Sequence, residues 1–201
     1  MTRTCFQVSA PTRPARDALL AYLSGLDEQL SGVWAEARFA PRAAHLAELR
    51  DASRGQVAIA FEDGGLLRSL DAWQNALLPV AFHASEEIEA ANWRARGILA
   101  ACGHQLEEYV GRSDATLSLY ERRLLGFVKA MLVEPQLFVI DRLFEDLGFE
   151  EQKSVSGWLR LYRNRYPLRR MLYVGLTEAA PGLLAGFVPL DAMTNSVEKV
   201  T

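Results

Sequence analysis

Residues 117–148 have the sequence LSLYERRLLGFVKAMLVEPQLFVIDRLFEDLG, and this stretch decides the fold. Ser118 opens a capping box, which predicts that a helix begins there and continues through apolar positions that recur with helical period. Pro135 is expected to end this helix, because proline has no backbone N–H group. The apolar run LFVI at 137–140 predicts a strand that is covered on both faces of a parallel sheet. Asp141 follows at the carboxyl end of that strand, where open α/β sheets place ligand sites.

The composition is that of a globular chain of 201 residues, half of them hydrophobic, and we expect a single domain over 1–201. A net charge of −3 gives no general basic surface for nucleic acid, so no nucleic-acid partner is expected. Cys5 and Cys102 are far apart, which favours reduced thiols in the cytoplasm. We also expect a soluble protein, because no apolar run approaches the roughly 18 residues of a membrane span and the N-terminus lacks a secretory signal. The histidines have no metal-ligand spacing, so no metal site is predicted.

Apolar strand patterns and helical patterns alternate along the chain, which predicts an α/β fold with a parallel sheet. The predicted strands are 5–8, 55–61, 137–140, 171–174 and 186–190. Besides the helix at Ser118, helices are predicted over 18–24, 43–51, 85–101, 106–110 and 155–166.

Two segments together resemble the ATP-binding subunits of ATP-binding cassette (ABC) transporters. The order of LSLYE at 117–121, a basic helix, Pro135, four apolar residues and Asp141 is the order of the signature motif and the Walker B strand of that family. The segment EDGGLLRSLDAWQNALLP at 62–79 resembles the family's Q-loop region, most closely in the ATPases of MCE/Mla-type lipid transporters. The resemblance implies a P-loop NTPase-like sheet flanked by helices, a small helical subdomain over about 71–116 and a truncated N-terminal β part.

The resemblance places the lysine of the phosphate loop at Arg16 and the magnesium-binding Ser/Thr at Asp17. The residues around them do not suit phosphate, because such a loop needs glycines whose N–H groups converge on the ligand. Pro11 and Pro14 have no N–H group, and Asp17 would put a negative charge against the phosphates. We therefore expect Asp17 to cap the following helix.

The other motif positions implied by the resemblance have also changed their chemistry. Glu62 replaces the Q-loop glutamine, and Leu176 replaces the switch histidine. The general-base glutamate is replaced by Arg142, and a guanidinium cannot accept a proton near neutral pH. Asp141 is expected to pair with a neighbouring cation instead of a metal. The signature positions, in which the two glycines and the glutamine are replaced, are Leu117, Ser118, Leu119, Tyr120 and Glu121.

These changes favour a catalytically degenerate subunit with no catalytic residue, no metal and no cofactor of its own. The resemblance implies that it sits beneath a membrane permease on the inner face of the membrane, beside a second ATPase subunit in a homo- or heterodimer, in a system that carries lipid. The segment implied to contact the permease contains Leu66, Leu67, Trp73, Asn75 and Pro79.

Two alternatives stay open at the level of sequence. In an asymmetric heterodimer, Ser118 and the start of its helix would complete an ATP site whose phosphate loop and magnesium belong to the partner. Otherwise the chain is a soluble α/β adaptor with no connection to a transporter.

Overall fold

In the part of the chain that the structure describes, five strands run parallel in one sheet that packs against helices. The structure, a computed structural model, describes residues 4–83, 87–176 and 186–190. The strands are β1 (Cys5–Ser9), β2 (Val57–Ala60), β3 (Leu137–Asp141), β4 (Arg170–Gly175) and β5 (Val188–Pro189). The helices are α1 (Arg13–Ser24), α2 (Ala40–Ser53), α3 (Ala72–His83), α4 (Ile88–Ala101), α5 (Leu119–Leu132) and α6 (Phe149–Arg165).

The strand order is β2-β3-β4-β1-β5, and each neighbouring pair is parallel. This confirms the predicted α/β class and places β3 and β4 inside the sheet. All five residues of β3 are buried, as its unbroken apolar sequence predicts. Because the strands are parallel, the loops that leave β1, β2 and β3 meet at one edge of the sheet.

Successive residues of β3 face two different core layers. Phe138 and Ile140 pack with α3, α4, α5 and α6 on one face of the sheet. Leu137 and Val139 pack with α1 and α2 on the other. The second layer also takes up Trp34, whose indole N–H donates a hydrogen bond of 2.6 Å to a carbonyl in the first turn of α1.

Between α1 and β2 the chain forms short 3-10 turns, Gly32–Ala35 and Ala37–Phe39, and then α2. All strand pairs of the described sheet are parallel. Helices α3 and α4 and two 3-10 turns, Leu106–Glu108 and Asp114–Thr116, lie within the range predicted for a helical subdomain, whose boundary stays a prediction. Within the described ranges, no helix is long and apolar enough to cross a lipid bilayer.

Several predicted boundaries were wrong. The helix predicted over 155–166 begins at Phe149, because the Glu151 side chain accepts a hydrogen bond from the Gly148 N–H group and starts the helix a turn and a half earlier. The predicted helix 106–110 is a single 3-10 turn, Leu106–Glu108. The helix predicted over 85–101 is described from Ile88, and its predicted cap, Ser85, lies outside the described residues.

Candidate functional site

The connection from β1 to α1 is short. Helix α1 begins at Arg13, only four residues after the end of β1. Its N-cap is Thr12, whose hydroxyl accepts a hydrogen bond of 3.3 Å from the Ala15 N–H group. The prediction that Asp17 caps the helix was therefore wrong. Because Pro14 suits the first helical turn, the helix starts earlier and Asp17 lies inside it, with 66% of its side chain exposed.

Arg16 points from α1 towards the carboxyl end of the sheet and is almost completely buried. Its Nη1 atom donates a hydrogen bond of 2.8 Å to Oε1 of Glu62, which follows β2. Its Nε atom lies 3.1 Å from Oδ1 of Asp141, which ends β3. The structure thus confirms that Asp141 pairs with a neighbouring cation, and Arg16 is that cation.

Arg142 contacts the other oxygen of the same glutamate. Its Nη1 atom donates to Oε2 of Glu62 at 2.5 Å, and its Nε atom donates to Oε2 of Glu145 at 2.6 Å. Charges therefore alternate from Asp141 to Arg16, Glu62, Arg142 and Glu145. We call these five residues the central charge network. Its members come from the ends of β2 and β3 and from α1, and four of them are positions that the sequence singled out.

The acid at the end of β3 has no exposed surface. Its Oδ2 atom accepts a hydrogen bond of 3.2 Å from the Glu62 N–H group. Burial raises the pKa of Asp141 from 3.8 to about 6, although Arg16 and Arg142 both favour the ionised form. The carboxylate is therefore held in the sheet at a desolvation cost that its cationic neighbours offset only in part.

Arg123 of α5 fixes the backbone around this network. It is 2% exposed, and its Nε atom donates to the Glu62 carbonyl oxygen at 2.6 Å. Its Nη1 atom donates to the carbonyl oxygens of Leu143 and Glu145. Sequence analysis missed this residue. The available signal was its spacing, because Arg123 stands four residues before Phe127 and eight before Met131, on the apolar face of α5.

The loop after β2 lies directly against α5. A Cβ atom on Gly64, whose φ is +86°, would lie 2.3 Å from the Arg122 carbonyl oxygen. A Cβ atom on Gly126 of α5 would in turn lie 2.8 Å from the Gly64 carbonyl oxygen. One turn further on, Lys129 donates a hydrogen bond of 3.0 Å to the Gly65 carbonyl oxygen. These contacts hold the loop against one face of the helix.

The start of α5 confirms the predicted capping box. The Ser118 hydroxyl accepts from the Glu121 N–H group at 3.2 Å, and Oε2 of Glu121 accepts from the Ser118 N–H group at 2.7 Å. Arg112 then pairs with both carboxylate oxygens of Glu121 at 2.6 and 3.1 Å. A carboxylate of the chain itself thus occupies the position at this helix N-terminus that an anion would take.

The bulky side chains of the signature segment contribute to packing. The Tyr120 ring lies 5.1 Å from the ring of Trp158, and its hydroxyl is 3.2 Å from Nε2 of His104. Leu117 is buried, and Leu119 is partly buried. This cluster is separate from the central charge network.

Two of the residues implied to contact a permease have internal contacts. Asn75 is completely buried. Its Oδ1 atom accepts a hydrogen bond of 2.7 Å from the Leu67 N–H group, and its Nδ2 atom donates one of 2.9 Å to the Leu67 carbonyl oxygen. Trp73 is buried and donates to Oδ1 of Asn92 at 2.9 Å. Leu67 exposes 49% of its surface, while Leu66 and Pro79 are partly buried. Their role towards a partner stays a prediction.

The position predicted for a switch histidine, Leu176, is partly buried against the second core layer. Its apolar side chain can neither donate nor accept a hydrogen bond in the central charge network. In the part of the chain that the structure describes, no group of His, Cys, Asp and Glu residues is arranged to hold a metal ion.

The fold is that of known ABC transporter cassettes. The dimeric structure of MJ0796, a bacterial ABC transporter cassette, matches with a TM-score of 0.65 over 95% of this chain and 83% of that one, at 14% identity. No protein-family model matches the chain.

The relatives in sequence are ATP-binding proteins of transport systems. A taurine import ATP-binding protein of Pseudomonas aeruginosa is 33% identical over 90 residues, 45% of this chain and 33% of that protein. A sulfate/thiosulfate import ATP-binding protein of Gloeobacter violaceus is 29% identical over 153 residues, 75% of this chain and 41% of that protein. A lipoprotein-releasing system ATP-binding protein of Psychrobacter arcticus is 25% identical over 150 residues, 72% of this chain and 63% of that protein.

The matched segments thus cover 33%, 41% and 63% of the lengths of these three relatives, which is less than two thirds of each. The chain has the fold of an ABC transporter cassette and is similar in sequence to the ATP-binding subunits of ABC transporters.

Proposed function

We propose that this chain is a catalytically inactive, nucleotide-binding-domain-like subunit of an ABC transporter. The observation that carries the proposal is the central charge network. Arg16, Glu62, Asp141 and Arg142 stand where the resemblance places the phosphate-loop lysine, the Q-loop glutamine, the magnesium-binding aspartate and the general base. In this chain they neutralise one another.

An ATP molecule would have to break this network to bind in the family's manner. Its phosphates would approach Glu62 and Asp141, while Arg16 is already paired with both. The short β1–α1 connection offers no glycine-rich cradle of N–H groups in compensation. Arg142 cannot act as a base, so we propose neither ATP hydrolysis nor a resident ATP–magnesium cofactor.

The role that we propose is structural: this chain pairs with a membrane permease and with a second, competent ATPase subunit. The scaffold and the segment 62–79 support it, and Leu67 is the exposed apolar residue of that segment. We place the chain at the inner face of the membrane through the permease. The proposal of a lipid substrate rests on the sequence of 62–79 alone, because the relatives are named for taurine, sulfate and lipoprotein systems.

The alternative of an asymmetric ATP site is less well supported by the contacts of the signature segment. A phosphate that approached the start of α5 would meet the carboxylate of Glu121. This carboxylate already accepts hydrogen bonds from the Ser118 N–H group and from Arg112. No observation in the structure favours the adaptor without a transporter.

The test is affinity purification of the tagged chain from detergent-solubilised native membranes, followed by mass spectrometry. We expect a permease and an ATPase with an intact phosphate loop. Leu67→Glu should lose the permease, since it places a charge in the exposed apolar position while leaving the backbone bonds to Asn75 intact. Leu26→Glu is the matched control, because it makes the same substitution at another exposed leucine. Leu26 is 83% exposed and follows the C-terminal end of α1, outside the segment 62–79. If no membrane protein is recovered, the adaptor is favoured and the proposal fails.

A further inference from the structure

Helix α4 carries apolar residues on two opposite faces. Its inner face packs into the core through Ala91, Ala95 and Leu99, which are almost completely buried. Its outer face carries Trp93, which is 72% exposed, whereas the other three tryptophans of the chain are buried. A surface helix of a globular protein usually has one apolar stripe with polar residues opposite to it. The exposed Trp93 therefore marks a face that is suited to contact with another protein surface.

Six exposed residues, Trp93 among them, lie on this side of the helix. Spacings of three, four and seven positions from Trp93 place them there, because an α-helix has 3.6 residues per turn. They are Glu89, Ala90, Trp93, Arg96, Gly97 and Ala100, and we call them the α4 outer face. Gly97 leaves a gap in this face, since nothing lies within 4 Å of a Cβ atom added at that position. The α4 outer face thus combines a large projecting ring with a recess one turn away.

The two charged residues of the α4 outer face have opposite sign. Glu89 and Arg96 are seven positions apart, about two helical turns, so they project in nearly the same direction. Within its own chain Arg96 lies 3.9 Å from Glu107, and both side chains are exposed, so this pair is weak. If a second copy of α4 packs antiparallel against the first, Glu89 of each copy faces Arg96 of the other. The midpoint between positions 89 and 96 lies beside Trp93, which places the two-fold axis at that residue.

The apolar residues fit the same antiparallel arrangement. A long side chain on a helix leans towards the N-terminus of that helix. This direction takes the Trp93 ring of one copy towards the gap at Gly97 of the other copy. We propose that the α4 outer face binds a second copy of this chain, in an antiparallel pair of α4 helices related by a two-fold axis. Because such a contact uses the same patch on both copies, each favourable pair is formed twice.

The contact that we propose is small. A helix of 14 residues is about 21 Å long, so one pair of helices buries less than the roughly 800 Å² per partner of a standard interface. We therefore expect a reversible dimer with a dissociation constant on the order of 100 µM. The α4 outer face shares no residue with the central charge network or with the segment 62–79, so this inference and the proposed function can fail separately.

The experiment is sedimentation equilibrium of the full chain at concentrations from about 20 µM to about 1 mM, which bracket the expected dissociation constant. We expect the wild type to pass from monomer to dimer over this range. Trp93→Ala should weaken the dimer about tenfold or more, since it removes the aromatic centre of the contact. Gly97→Leu should also weaken it, because the added side chain fills the gap that receives Trp93. The open space at Gly97 lets the monomer itself accept this substitution.

Charge reversal gives the sharpest readout. Glu89→Arg and Arg96→Glu should each weaken the dimer about tenfold, because each variant alone places like charges opposite one another twice. An equimolar mixture of the two variants should associate about as well as the wild type, since every such contact then joins opposite charges. Glu150→Arg is the matched control: it reverses an exposed charge on α6, outside the α4 outer face, and should leave the dimer unchanged.

Far-ultraviolet circular dichroism checks that each variant is folded, and the mixture of charge variants decides the question if Trp93→Ala does not fold. The proposal is overturned if the wild type remains a monomer at about 1 mM, ten times the expected dissociation constant. It is equally overturned if the mixture associates no better than either charge variant alone, because the copies would then associate through a different surface.

Discussion

Arg16 Nε lies 3.1 Å from Asp141 Oδ1, so an arginine of the first helix pairs with the acid that ends the central strand. The resemblance to ABC ATPases would place a phosphate and a magnesium ion between these two positions. Here the cation and the anion are in direct contact.

The pair should contribute to folding, because removing Arg16 leaves a completely buried carboxylate without its nearest cation. We expect Arg16→Met to lower the free energy of unfolding by about 3 kcal/mol. Asp17→Asn should change it by less than about 0.5 kcal/mol, because the Asp17 side chain is 66% exposed, although its Oδ1 atom lies 3.5 Å from Arg16 Nε. Urea unfolding of both variants measures this.

The double variant Arg16→Met with Asp141→Asn should recover part of the loss, since it removes both charges. A coupling energy of about 1 kcal/mol or more is expected from the double-mutant cycle. Strictly additive effects would mean that the two side chains do not interact.

Stability should depend on the protonation of Asp141. Its pKa in the folded protein is raised to about 6, above the ordinary value of 3.8, so the folded state binds this proton more tightly than the unfolded state. The contribution is fully present below pH 3.8 and is lost as pH rises through about 6. The free energy of unfolding of the wild type, relative to Asp141→Asn, should fall by up to about 3 kcal/mol from about pH 4 to about 7.5. A difference that grows with pH would show instead that the arginines hold this pKa low.

The contact between Gly64 and α5 should tolerate no side chain. Gly64→Ala places a Cβ atom 2.3 Å from a backbone carbonyl oxygen at a φ of +86°, and should cost about 3 kcal/mol or more. Gly103 has the same φ of +86° but nothing within 4 Å of an added Cβ atom, so Gly103→Ala should cost only about 1 kcal/mol. Thermal unfolding compares the two. Equal losses would argue that the conformation alone, and not the approach of the helix, sets the cost at Gly64.

Arg123 should matter far more than its neighbour. Arg123→Met leaves buried carbonyl oxygens of two loops without their donor, and we expect a loss of about 3 kcal/mol in the free energy of unfolding. Arg122→Met is the control, because this side chain is 34% exposed and lies 3.9 Å from its acidic partner, Asp114. Denaturant unfolding should rank the two clearly, and similar losses would contradict the assigned role of Arg123.

Sequence patterns predicted the elements with strong local signals. The unbroken apolar run of β3 and the capping box at Ser118 both appear as expected, since burial on two faces and the satisfaction of N–H groups leave plain marks in the sequence. The start of α1 was misplaced, because Pro14 was interpreted as a loop residue although proline also favours the first helical turn.

The central charge network could be predicted only in part. The sequence aligned Arg16, Glu62, Asp141 and Arg142 with motif positions and indicated that Asp141 would pair with a cation. It could not indicate that one glutamate would bridge two arginines, because that depends on how three separate loops meet at the edge of the sheet. Arg123 was missed for a related reason: whether an arginine on a helix is buried depends on loops far away in sequence.

The most direct test of this account is titration of the isolated chain with ATP and magnesium, with a competent ABC ATPase subunit as the positive control. We predict no saturable heat and no rise in melting temperature at ATP concentrations up to about 1 mM, where a site with a dissociation constant of about 10 µM would add more than 2 kcal/mol of stability. Magnesium-dependent, saturable binding of ATP by this chain alone would contradict the account, because the ligand would have to displace Arg16 from Asp141.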